Sequence, residues 1–310
     1  MSQLLGHGAV EKRFSEAISK GSLHHAWLLH GMKGIGKSVL AEKLAAYLIC
    51  ESHTACGECH SCRMLAAGSH PDVYRLGLIE GKRDLNIEQV REVLGFLSLS
   101  GAESHRRVVI LDDAERMNGQ AANALLKGLE EPSPGSLLLI VCADIMKLPA
   151  TVRSRCLLQH CAPLPEADVR TVLQRLSVPD QHLGLAVGLA DGCPGMVECM
   201  QDKSVSDSLA EWRNLVSDMA EADIGKIEGW LQKHVKLIPH NLITHVLLRA
   251  VFPALTQPCS EASFEAREKL YAAVSACARW PNEVVRQSLR PVPSLLAYVL
   301  QLRGALRALA

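Results

Sequence analysis

The chain has 310 residues, 48% of them hydrophobic, with 33 Lys plus Arg set against 33 Asp plus Glu. That length and apolar content fit a globular chain of two or three domains and exclude a disordered one. The zero formal charge argues against a protein wrapped along nucleic-acid phosphates, while leaving room for a small local basic patch.

No stretch reaches the length of a membrane span. Residues 1–21 lack the charged-then-apolar pattern of a secretion signal. The expectation is a cytoplasmic protein without membrane contact. In that compartment its 11 cysteines read as free thiols plus a metal site, not as a disulfide framework.

Residues 8–20 carry a helical period, with Val10, Phe14 and Ala17 or Ile18 on one face. Ala26-Trp27-Leu28-Leu29-His30 is a short apolar run ending at Gly31, which predicts a buried strand. From Ser38 to about Ile49 the spacing of Leu40, Leu44 and Leu48 predicts a helix. A strand follows at Val73-Tyr74-Arg75-Leu76, then a helix marked by Ile87, Val90, Leu94 and Leu97. Val108-Val109-Ile110-Leu111 is a second buried strand. A helix over 119–130 stops at Glu131-Pro132-Ser133-Pro134-Gly135. Leu137 to Cys142 is a third apolar run, and Leu157-Leu158 a further short strand. This alternation of strand and helix predicts an α/β domain whose parallel sheet is covered on both faces.

After Pro163-Leu164-Pro165 the strands vanish. A helical block spans roughly 166–203, broken at Gly192-Cys193-Pro194-Gly195, and a second runs from about 205, with Trp212, Leu215 and Met219 on one face. Boundaries fall near 163 and 205. The tail carries Arg279, Arg286, Arg290, Arg303 and Arg307 against Glu283 alone. It is read as a solvated or subunit-facing surface rather than a DNA contact. Its apolar residues Val284, Leu289, Leu295, Leu296, Val299 and Leu300 suit packing between helices.

Two motifs carry chemistry. Gly31-Met32-Lys33-Gly34-Ile35-Gly36-Lys37-Ser38 fits G-x-x-x-x-G-K-[ST] at every fixed position. In such a loop, backbone N–H groups and the following helix N-terminus face phosphate, Lys37 reaches the β/γ phosphates and the Ser38 hydroxyl holds Mg²⁺. Asp112 and Asp113 end the second strand, where Asp112 can hold Mg²⁺ through water. A hydrolytic ATPase of this type offers Glu at position 113 to orient water. Asp113 is one methylene shorter, and placement errors near 1 Å can cost ~10²-fold.

The second motif is Cys50, Cys56, Cys59 and Cys62, spaced C-x5-C-x2-C-x2-C. Four thiolates close a tetrahedral zinc shell, which makes the site structural. Gly57 and Ser61 permit the tight turns, and His53 and His60 are possible substitutes for one ligand. The polar linkers argue against four buried free thiols. The other cysteines, 142, 156, 161, 193, 199, 259 and 277, lack metal spacing and are expected as small core residues.

Together with these motifs, several segments resemble the delta-prime family of bacterial DNA polymerase III clamp-loader subunits, of the AAA+ class. They are His25-Ala26-Trp27-Leu28-Leu29, the four-cysteine insert, Ala67-Gly68-Ser69-His70-Pro71-Asp72, Ala121-Ala122-Asn123-Ala124-Leu125-Leu126-Lys127, Leu129-Glu130-Glu131-Pro132 and Ser154-Arg155-Cys156. The resemblance covers nearly the whole first half and is looser beyond. It implies a RecA-like AAA+ domain over 1–163 with a zinc module at about 50–62, an all-α lid over 164–204 and an all-α collar for oligomerisation over 205–310.

The resemblance also implies a role. Such subunits join tau/gamma and delta types in a five-membered ring that places the sliding clamp on primed DNA during replication. Arg155 is then the arginine finger, reaching the ATP of a neighbouring subunit, where such a group is worth ~10³–10⁵ in rate. Structural Zn²⁺ and ATP or ADP with Mg²⁺ are the implied cofactors, the nucleotide set being Gly31, Gly34, Gly36, Lys37, Ser38 and Asp112.

Departures separate this chain from the motor subunits. Cys142-Ala143 stands where a motor has a polar sensor. The turn Gly192-Cys193-Pro194-Gly195-Met196 lacks the second sensor arginine. Nucleotide binding without useful hydrolysis is expected, the polymerase activity belonging to the holoenzyme. The rival reading is an active ATPase motor of the tau/gamma type. A polymerase or nuclease domain lacks the clustered carboxylates of a two-metal site.

Overall fold

The computed structural model describes residues 4–78, 82–99, 102, 106–256 and 264–309. Cys259 lies outside them. The chain divides into two compact units, Met1–Val169 with Gly192–Gly195, and Arg170–Asp191 with Met196–Ala310.

The first unit follows the predicted alternation. Its elements are α1 (Gly8–Ser19), β1 (Ala26–His30), α2 (Lys37–Ile49), α3 (His60–Ala66), β2 (Val73–Leu76), α4 (Ile87–Ser98), β3 (Arg107–Leu111), α5 (Gly119–Glu130), β4 (Ser136–Cys142), α6 (Ala150–Arg153) and β5 (Leu157–His160). All five strands are parallel, in the order β2-β3-β4-β1-β5. The apolar runs are continuous because both faces of the sheet are covered. Ala26, Leu28, Val109, Leu111, Leu138 and Ile140 pack with Val90 and Val93 of α4 and with Leu125 and Leu129 of α5. Trp27 meets Phe14 of α1 edge-on, with ring centroids 4.9 Å apart. Because β-strand side chains alternate, Trp27 and its neighbour Leu28 serve opposite layers.

Two helix starts are written locally. Asn86 and Gln89 exchange side-chain and backbone hydrogen bonds, both 3.0 Å, in a capping box that opens α4. Asn118 accepts from the Ala121 N–H at 2.8 Å and opens α5.

The second unit is helical: α7 (Glu166–Arg175, which begins in the first unit), α8 (Asp180–Ala190), a 3₁₀ run at Pro194–Gln201, α9 (Lys203–Val216), α10 (Ile224–His234), α11 (His240–Thr256), α12 (Phe264–Gln287) and α13 (Pro291–Arg307). It has no strand among the described residues. Trp212 is buried, donates from Nε1 to the Ile243 carbonyl at 2.9 Å and stacks on Trp230 with centroids 4.7 Å apart. The apolar stripe of α9 runs through Val205, Leu209, Trp212 and Val216. Met219 is buried but lies past the end of that helix, and Leu215 is only half-buried. The expected face is therefore displaced by one position, since a helix that stops at Val216 cannot carry Met219.

The basic tail is partly engaged within its own unit. Arg303 and Arg307 donate to the Ala220 carbonyl at 3.3 and 2.8 Å, and Arg307 also meets Glu221 at 3.3 Å. Leu295, Val299 and Leu302 of α13 are buried, whereas Leu300 is exposed. Among the described residues, no helix is long and apolar enough to cross a membrane.

Candidate nucleotide-binding site and metal centre

The nucleotide candidates converge beyond the carboxyl ends of the strands, where open α/β sheets place ligands. β1 lies between β4 and β5, with His30 level with Cys142 and His160. The chain leaves β1 at Gly31 and turns through Gly34 and Gly36, which have φ of 82° and 92°. Gly36 is the N-cap of α2. A side chain there is strained by the left-handed backbone, so glycine lets the loop close directly onto the helix start.

Lys37 opens α2 and is buried, 6% exposed. Its Nζ donates to the carbonyls of Gly31 and Met32, each at 2.8 Å. Burial lowers its pKa, while Cys161, Glu115, Asp112 and Cys142 oppose that shift. The ammonium is thus held over its own loop, facing the end of β3. Ser38 Oγ donates to Asp112 Oδ2 at 2.5 Å. The hydroxyl and carboxylate named as Mg²⁺ partners are thereby adjacent, an arrangement that fits a hard cation taking oxygen ligands.

Asp113 sits in the left-handed region, φ 49°, and its N–H donates to Asp112 Oδ1 at 2.8 Å. Burial, with Asp112 and Glu115 nearby, raises its pKa, against the pull of Lys33 and Arg116.

Glu115 was not singled out by the sequence, yet it belongs to this constellation. Its Oε2 accepts from the Ala143 N–H at 3.0 Å, just past β4. Burial and the same carboxylate push the Cys142 thiol up to about 12. The available signal is its position three residues after Asp112, on the short 3₁₀ turn Ala114–Arg116. A second contact missed by sequence reading is Gly195, whose N–H donates to the Gly34 carbonyl at 2.9 Å. A Cβ on Gly195 would stand 3.0 Å from Gly34 Cα and O. The glycine-rich turn therefore buttresses the phosphate loop through bare backbone.

Arg155 lies apart from this cluster, after α6. Its Nη2 pairs with Glu130 Oε1 at 2.6 Å and its Nη1 donates to the Thr151 carbonyl at 2.9 Å.

The four motif cysteines form a separate group, with all four sulfurs within 4.8 Å of one another. Sulfurs around tetrahedral zinc at ~2.3 Å stand about 3.8 Å apart. Cys50 and Cys56 sulfurs are 3.6 Å apart, and those of Cys50 and Cys59 4.0 Å. The thiols therefore stand at the spacing a metal requires. Neither His53 nor His60 belongs to the group; the His53 ring faces the Tyr47 carbonyl at 3.2 Å.

The local fold explains the convergence. Cys50 caps the end of α2 and Cys59 caps the start of α3, accepting from the Cys62 N–H at 3.4 Å. Burial raises the Cys50 thiol, but hydrogen bonds from Ser52, Cys56 and Thr54 outweigh it and bring it down to about 5. Of the remaining described cysteines, 142, 161, 193 and 277 are buried, while 156 and 199 are half-buried.

Residues 6–165 match the family described as DNA polymerase III, delta subunit. The delta-prime subunit of Pseudomonas aeruginosa DNA polymerase III is 40% identical over 193 residues, covering 60% of this chain and 58% of that protein. The Escherichia coli delta-prime subunit is 38% identical over 179 residues, covering 56% and 54%. The match thus spans a little over half the length of these relatives. A DNA polymerase III gamma-subunit-related protein of Thermotoga maritima aligns over 95% of this chain and 98% of its own, with TM-score 0.56 and 16% identity. That likeness shows a common fold, a parallel five-stranded α/β core followed by a helical region. Matched over just over half its length, the chain belongs to the DNA polymerase III delta-subunit family.

Proposed function

We propose that this chain is a delta-prime-type subunit of the DNA polymerase III clamp loader. It works in a ring with tau/gamma and delta types that loads the sliding clamp onto primed DNA, and it donates Arg155 to a neighbour's ATP. The carrying observation is that the candidate nucleotide residues and Arg155 stand apart from one another within the first unit. Lys37, Ser38 and Asp112 face one another at the strand ends, while Arg155 stands on the surface with its side chain 37% exposed. An arginine that serves a site on another subunit has to be presented outward in this way. The helical region supplies the lid (164–204) and collar (205–310) of this reading.

The chain's own loop binds ATP or ADP with Mg²⁺ held by Ser38 and Asp112, and does not hydrolyse it usefully. Mg²⁺ supplies charge neutralisation at the phosphates when bound. Lys37 binds and orients the phosphates; Asp113 replaces the longer acid that orients water. Cys142 and the arginine-free turn at Gly192–Gly195 leave the γ-phosphate without two of its usual contacts. Zn²⁺ on Cys50, Cys56, Cys59 and Cys62 is structural, because four thiolates leave no open position.

One observation favours a second reading. The phosphate loop is complete and the Ser38–Asp112 pair is formed, as a hydrolytic motor of the tau/gamma type requires. Reconstitution with tau/gamma and delta subunits and clamp separates the two. In the delta-prime reading Arg155→Ala lowers the ATPase of the assembly, and Lys37→Ala leaves it near wild type. The reverse pattern establishes the motor reading.

A further inference from the structure

The guanidinium of Arg155 is held from two sides. Nη2 meets Glu130 Oε1 at 2.6 Å, on the last residue of α5, and Nη1 donates to the Thr151 carbonyl in α6 at 2.9 Å. The anchors belong to different elements, one acidic side chain and one backbone carbonyl, so they fix both position and plane. The side chains of Arg155 and Glu130 are 37% and 49% exposed, and an ion pair so open to water adds little to folding stability. Its value has to be sought in what it does for the arginine.

Arginine carries five N–H donors in a rigid fork. Here Glu130 engages Nη2 while Thr151 and Ser154 engage Nη1, and a fork of five N–H groups has more donors than these contacts take up. A guanidinium already held at two nitrogens loses less rotamer freedom when its remaining donors engage a phosphate.

We propose that Glu130 is the positioning residue for Arg155, holding the guanidinium in the plane from which its remaining donors meet a phosphate bound by an adjoining subunit. Glu130 touches no nucleotide itself and acts only through Arg155. The inference rests on the reading of Arg155 as a finger.

The test uses the full chain assembled with its ATP-hydrolysing ring neighbours, measuring kcat and KM for ATP. Glu130→Ala is expected to lower kcat by between about tenfold and a hundredfold, the scale of a misplaced catalytic group, with KM little changed. Glu130→Gln, whose Oε1 still accepts a hydrogen bond, restores part of the loss. The double variant with Arg155→Ala falls no further than Arg155→Ala alone. Three outcomes overturn the proposal, each distinguishable from the others. If Arg155→Ala loses activity while Glu130→Ala stays at or above wild type, Glu130 has no positioning role. If Arg155→Ala itself equals wild type, the finger reading falls and the role of Glu130 with it. A further loss from Glu130→Ala in the Arg155→Ala background, with a lowered melting temperature, assigns Glu130 to structure only and overturns the proposal.

Discussion

Ser38 Oγ donates to Asp112 Oδ2 at 2.5 Å, tying the first turn of α2 to the end of β3. Ser38 and Asp112 would together hold a divalent cation, Asp112 through water, and it would neutralise charge at the phosphates. Nucleotide affinity of the wild-type chain is therefore expected to fall when Mg²⁺ is chelated, and Ser38→Ala to abolish most of that dependence. Isothermal titration with ADP, with Mg²⁺ and with excess chelator, measures both. An Mg²⁺ dependence equal in the two proteins would remove Ser38 from the metal's surroundings.

Gly195 contacts the phosphate loop through backbone alone, its N–H 2.9 Å from the Gly34 carbonyl. Gly195→Ala introduces a methyl 3.0 Å from Gly34 Cα and O, and backbone on both sides leaves no flexible group to yield. Overpacking of this kind costs about 1–3 kcal/mol. Urea unfolding should show that loss, and ADP affinity should fall with it because the strain lands on the loop. Unchanged stability and affinity would mean the turn and loop part easily.

The zinc reading gives a stoichiometric expectation. Elemental analysis of wild type should find about one zinc per chain, and Cys59→Ser or Cys62→Ser close to none, as expected for a closed four-thiolate site. Strong chelation should lower the melting temperature of wild type and leave the serine variants unmoved. Equal zinc in wild type and Cys62→Ser would exclude the cluster as the site.

Asp113 offers a pH-dependent test. Its folded pKa is raised, chiefly by burial and by Asp112, so the folded state holds a proton that the unfolded state releases. Stability from this group is present below the usual carboxylate range and falls as pH rises through the interval up to the raised value. Asp113→Asn removes the charge and tolerates the left-handed backbone. It should raise the melting temperature at pH 7, with the gain vanishing at pH below about 3.8, the unperturbed value. A gain that persists at low pH would trace the effect to something other than ionisation.

Much of this was legible in the sequence, for a physical reason. The strand–loop–helix unit is local: Trp27 to Leu48 carries its own apolar period, glycines and helix start. The cysteine module is local too, spanning the end of α2 and the start of α3. Contacts made between distant segments left no such mark. Gly195 reaches Gly34 through backbone atoms, which carry no residue-type signal. Glu115 joins the site because β4 brings Ala143 to it, a matter of strand order. The order β2-β3-β4-β1-β5 is itself set by crossovers that periodicity does not encode. In the helical part, the misplaced Met219 shows the limit of periodicity where a helix stops without a proline or glycine signal.

The distribution of tryptophan has a spectroscopic consequence. Of the 4 tryptophans, Trp27 alone lies in the first unit, beside Phe14 on a strand inside the sheet, while Trp212, Trp230 and Trp280 belong to the second. Replacing those three by phenylalanine leaves a single emitter four residues before Gly31. Its fluorescence then reports unfolding of the sheet independently of the helical unit, and its solvent-shielded emission provides an optical readout for the strand that leads into the phosphate loop.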